Sequence, residues 1–110
     1  MAQYIEDLSS LITVNQQATV SRTVMTNEGA RIVLFSFDTN EELSEHTAAM
    51  PVLITVLDGA LEITASGDTH TLRAGGVITM AAREPHTVLA LEPTRMMLAM
   101  LDPRAKAPSA

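Results

Sequence analysis

The chain contains no cysteine and no tryptophan, and only 3% of its 110 residues are aromatic. Without cysteine there is no disulfide, no thiolate metal site and no cysteine nucleophile. With so few aromatic rings, the core has to be assembled from Val, Ile, Leu, Ala and Met. Basic residues are also scarce, 7 against 13 acidic ones, for a formal net charge of −6. No basic run is long enough to neutralise a row of phosphates, so nucleic acid and anionic membrane surfaces are disfavoured as partners. No apolar run approaches the roughly 20 residues needed to cross a bilayer as a helix. The opening MAQYIEDLSS is acidic where a secretory signal would be basic, and the expected compartment is the cytoplasm. Nor is there a Gly-x-Ser-x-Gly nucleophile setting or a phosphate-cradling glycine loop; Gly75-Gly76 reads as a turn.

What is present is an apolar content of 46% in a length that suits one compact domain. Tyr4-Ile5, Leu8 and Leu11-Ile12 recur at spacings of three and four, which predicts a short helix or turn near the N-terminus. From Ala18 onward, short runs rich in Val, Ile and Thr alternate with turn residues, the pattern of an all-β sandwich or barrel. The expected strands are 19–25, 31–37, 43–47, 52–57, 60–65, 69–73, 77–80, 86–91 and 95–101. Asn27-Glu28-Gly29, Asp38-Thr39-Asn40, Ser66-Gly67-Asp68 and Gly75-Gly76 punctuate them, and Asp58-Gly59 reads as a two-residue hairpin turn. The organisation is then an N-terminal segment (1–17), one β-barrel domain (18–102) and a small-residue tail (103–110).

Two of the strands, Val52-Leu53-Ile54 and Met96-Met97-Leu98-Ala99-Met100-Leu101, are apolar on both faces. A strand that is apolar on both sides is buried on both sides. The outward face therefore needs cover from a second sheet, the N-terminal segment or a second copy of the chain, and a homodimer is the economical expectation. The methionines in the last strand serve packing rather than copper binding.

The chain has three histidines, His46, His70 and His86. His70 lies in the polar stretch Asp68-Thr69-His70-Thr71 and is expected in solvent. His46 and His86 each follow a turn-rich segment and open a strand, so both could project into one barrel mouth. Asn40, five residues and then His46, with Gly59 closing the segment, resembles the first motif of the cupins, in which a glycine stands at the Asn40 position. Gly75 and His86 fall at the glycine and the histidine of the second cupin motif. The resemblance covers about 19–101 and implies a single-domain jelly-roll β-barrel. It also implies the metal-dependent dioxygenase, isomerase and decarboxylase chemistry that cupins carry, with a divalent transition metal as the candidate cofactor.

The departures from the motifs matter as much. Ala48 stands where the family's second histidine belongs and Val52 where its glutamate belongs, while Ala81, Arg83 and Ala90 replace Pro, Gly and Asn of the second motif. Of the usual metal ligands, His46 and His86 survive, an incomplete site. Glu84, two residues before His86, is the carboxylate candidate for a third ligand, and Met50 has the parity of a soft one. If the segment is extended, His46, Ala48, Met50, Val52 and Ile54 share one face, as His86 and Val88 do on the other strand. The expected site is an apolar pocket with imidazoles at one end, the layout of a small-molecule site. The reading favoured from sequence is a non-catalytic binding module for a small, mostly apolar ligand; the alternative is a metal-dependent cupin enzyme. Arg83, just before His86, could reach an acidic group on a ligand.

Overall fold

The computed structural model describes residues 2–102, with the side chains of Glu45 and His46 outside the described set. The tail expected at 103–110 also lies outside the described residues.

The N-terminal periodicity yields one 3-10 turn, Leu8–Leu11, rather than a longer helix. Asp7 caps it by accepting from the Ser9 amide at 3.1 Å. Nine strands follow among the described residues: β1 (Thr19–Thr26), β2 (Ala30–Phe37), β3 (Glu42–His46), β4 (Val52–Asp58), β5 (Ala60–Ala65), β6 (Asp68–Arg73), β7 (Val77–Met80), β8 (His86–Ala90) and β9 (Thr94–Leu101). They form a five-stranded sheet, β1-β2-β9-β4-β7, and a four-stranded sheet, β3-β8-β5-β6. Every pairing is antiparallel, and the two sheets close a jelly-roll barrel.

Alternation fixes which side chains face inward. Val52, Ile54 and Val56 are buried while Leu53, Thr55 and Leu57 are half-buried. In register with them on β9 are Met100, Leu98 and Met96. From the other sheet, Leu61 and Ile63 on β5 meet Ala90 and Val88 on β8, and both sets belong to one core with Phe37. The two phenylalanines, Phe35 and Phe37, point the same way along β2 and stack at 6.0 Å.

The turn at Ser66-Gly67 is the two-residue hairpin its composition suggests. Ala65 pairs with Asp68, and both turn residues have positive φ, +51° and +85°. Asp58-Gly59 is different, and corrects the hairpin expectation. β4 and β5 do not pair; Gly59 is the corner at which the chain leaves one sheet for the other. Its φ is +98°, and a Cβ there would lie 2.3 Å from Thr94 Oγ1 and 2.5 Å from the Pro93 carbonyl. A hairpin and this corner make the same local demand for glycine, so the dipeptide alone does not separate them. Asp58 pairs with Arg95 across the β4–β9 ladder. The hydrogen bond to Asp58 raises the Arg95 guanidinium above its usual pKa.

The outer face of the larger sheet is covered from within the chain. Leu34, on that face between Arg22 of β1 and Met97 of β9, is fully buried. Three polar side chains around it hold the N-terminal segment: Arg95 donates to the Ser9 carbonyl at 2.6 Å, Arg22 to Leu11 at 2.8 Å and Ser36 to Thr13 at 2.9 Å. Burial of one leucine is worth roughly 1.5–3 kcal/mol. Of the covers expected for this face, the N-terminal segment supplies the one seen here.

Candidate functional site

β3 ends at His46 and β4 begins at Val52, in the other sheet; residues 47–51 form the loop between them. The single extended face expected over 46–54 is thus interrupted. The loop still turns Ala48 inward, and a cavity of about 380 Å3 opens beneath it. Thr23 of β1, Arg31, Val33 and Phe35 of β2, Val52 of β4, His86 of β8, Leu98 and Met100 of β9, and Thr47, Ala48 and Ala49 of the loop line it.

The expected pocket residues divide. Ala48, Val52 and His86 meet at this cavity. Ile54 and Val88, at 0% and 1% exposure, lie in the packed core and are absent from its lining, because the barrel interior is filled by its own side chains. Met50 lines a neighbouring cavity of about 240 Å3, which shares Arg31 and Met100 with the larger one.

His86 is 3% exposed, and its Nδ1 lies 3.0 Å from the Glu84 carbonyl. A carbonyl only accepts, so Nδ1 carries a proton and donates it. Along the ladders, His86 is in register with Ala65 on one side and His46 on the other. The His46 side chain lies outside the described residues.

Glu84 has a different task from the third ligand expected of it. One carboxylate oxygen accepts from the Ser66 hydroxyl and the other from the Ala81 amide at 3.0 Å. The Ser66 bond first, then the Ala81 bond, hold this carboxyl below its usual pKa. Glu84 thereby ties the 81–84 turn to the β5–β6 hairpin, and it is not among the residues lining the cavity. The amide of Arg83, two residues on from Ala81, donates to the Ala48 carbonyl at 2.7 Å, which ties the same turn to the 47–51 loop. The Arg83 and His70 side chains are exposed.

The cupin domain family matches residues 33–102. The chain belongs to that family. A conserved protein of unknown function from Streptococcus pyogenes is similar at 30% identity, covering 96% of this chain and 92% of that one, with a TM-score of 0.83. A cupin superfamily protein from Desulfitobacterium hafniense shares 26% identity over 86% of each chain, with a TM-score of 0.80. An RmlC-like cupin from Desulfovibrio desulfuricans, at 23% identity and a TM-score of 0.79, covers 92% of this chain and 97% of its own and shows the shared fold. No curated protein matches.

Set on the cupin frame, the motif departures have physical meaning. Asn40 and Arg83 stand where the motifs have glycine, and both adopt left-handed φ, +69° and +63°. The backbone demand for glycine persists at both corners, met by asparagine readily and by arginine at a cost. Ala48 and Val52 occupy ligand positions of the family and face the cavity as carbon alone. Among the described residues no group of three His, Cys, Asp or Glu is placed to hold a metal ion. The described donor set does not fit the three-ligand or four-ligand sites that zinc and non-haem iron require.

Arg31, Phe35 and Leu98 were not anticipated as site residues. The signal was available for β2: counting back from the buried Phe37 in steps of two reaches Phe35, Val33 and then Arg31. An arginine on an inward-facing row is the kind of departure that marks a site.

Proposed function

We propose that this cupin is a binding module that takes a small, mostly apolar molecule in the cavity at its mouth, with His86 and His46 as polar anchors. The observation that carries the reading is the lining itself. Carbon surfaces from Val33, Phe35, Val52, Leu98 and Met100 surround a few polar groups, the composition of an organic-ligand site. The volume of about 380 Å3 sits near the lower end of the roughly 300–1,000 Å3 typical of such sites, which selects a small ligand.

The competing reading is a metal-dependent cupin enzyme centred on His46 and His86. The ladder register that pairs those two residues favours it. Alanine and valine at Ala48 and Val52 weigh against it, since neither side chain has a lone pair to donate.

A thermal-shift screen of small organic molecules tests the proposal, with Ala48→Phe as the variant that fills the cavity. Binding raises the melting temperature of the parent and leaves the variant unmoved. Ligands that stabilise both proteins equally bind elsewhere and contradict the reading.

A further inference from the structure

Among the described arginines, Arg31 is the one that lines the larger cavity. Arg22 is bound to the Leu11 carbonyl and Arg95 to Asp58 and Ser9. Arg31 lies on the inward row of β2 at the end where the cavity opens, and lines both the larger and the smaller cavity. Its guanidinium makes no hydrogen bond or ion pair with another described residue. In a chain with 13 acidic residues against 7 basic ones, a carboxylate partner would be easy to supply from within. Glu28 and Asp102 line the smaller cavity, and among the described residues no carboxylate lines the larger one.

Resting on the binding-module reading above, we infer that the ligand is a small organic monocarboxylate whose carboxylate pairs with Arg31. Its hydrocarbon body lies along Val33, Phe35, Leu98 and Met100. A guanidinium is a planar fork that matches a carboxylate with two parallel hydrogen bonds. The apolar wall beside it removes water from one side of that pair and strengthens it. Arg31 is the one arginine or lysine among the described lining residues, and a lone guanidinium suits one negative charge rather than the two of a phosphate monoester. The net charge of −6 repels anions at long range, so recognition rests on this local pairing rather than on steering.

The test uses benzoate and hexanoate against their neutral counterparts benzamide and hexanamide. Binding to the full chain is followed by NMR through the methyl resonances of Val33, Val52, Leu98 and Met100. The parent protein, Arg31→Gln and Arg31→Lys are titrated in parallel. Arg31 is exposed, so both variants are expected to melt with the parent in the absence of probe. At least one acid binds the parent roughly tenfold or more tightly than its amide, the scale of a lost charged hydrogen bond. That preference disappears in Arg31→Gln and is partly kept in Arg31→Lys. Equal binding of acid and amide, with the same methyl groups shifted, overturns the carboxylate inference while the binding-module reading stands. If none of the four probes moves these methyl groups, both are overturned. A preference for the acid that survives in Arg31→Gln also overturns the role given to Arg31.

Discussion

The backbone amide of Arg83 donates to the carbonyl of Ala48 at 2.7 Å, and Arg83 makes this contact from a left-handed conformation, φ +63°. The bond joins the turn before His86 to the loop that roofs the cavity. An L-residue pays roughly 1–2 kcal/mol to sit there, whereas glycine pays only its larger unfolded-state entropy, about 0.5–1 kcal/mol. Arg83→Gly is therefore expected to stabilise the protein by about 0.5–1 kcal/mol. Urea unfolding of parent and variant measures it. A destabilised variant means that the exposed guanidinium contributes a contact outweighing the backbone strain.

Gly59 and Thr94 lock the opposite corner. The Thr94 hydroxyl accepts from the Ala60 amide at 3.0 Å and directs its proton to the Glu92 carbonyl at 2.8 Å. Gly59→Ala drives a Cβ into that hydroxyl and into the Pro93 carbonyl, at an expected cost above roughly 3 kcal/mol. Thr94→Val keeps the shape but strands the amide and the carbonyl, for about 1–3 kcal/mol. Because both changes act on one corner, the double variant costs less than the sum. Additive losses in denaturant melts contradict the shared-corner account.

Two surface carboxylates couple the fold to acid. The amides of Gln17 and, to a lesser degree, Thr39 hold Asp38 below its usual 3.8. Ser66 and Ala81 do the same for Glu84, below its usual 4.5. A depressed folded-state pKa contributes stability that is fully present above the unfolded value and is lost as the pH falls through the folded one. Asp38→Asn and Glu84→Gln are each expected to be less stable than the parent at neutral pH. The gap starts to narrow as the pH falls below the usual carboxylate values and closes as it falls through the depressed folded-state ones. Unfolding curves between neutral pH and pH 3 read this directly, and a gap that widens in acid reverses the sign.

Strand positions were legible because β4, β5, β8 and β9 alternate or run apolar between strong turn residues, and local chemistry settles such segments. The Asp58-Gly59 corner was not, because what makes it a corner is Thr94, distant in sequence. The two-faced apolar pattern of β9 correctly signalled double cover. It could not say that Arg22, Ser36 and Arg95 would hold the chain's own residues 9–13 there. At the site, the motif spacing brought out His86, Ala48 and Val52, which meet at the cavity. The same parity puts Ile54 and Val88 on this face, but parity gives the face and not the depth, and both sit in the packed core. Arg31 lies on β2, outside both metal-ligand motifs, and only its place on the inward row marks it.

The central claim is that this cupin has the frame of a metal site and uses the space for an organic ligand. The metal content of tag-free protein tests it most directly, after incubation with divalent zinc, iron or manganese and gel filtration. The parent, His86→Ala and the double change Ala48→His with Val52→Glu are compared. The account predicts far less than one metal per chain in the parent, and close to one in the double variant, where the missing donors return to the cavity beside His86. One tightly held metal per chain in the parent, lost in His86→Ala, would contradict it.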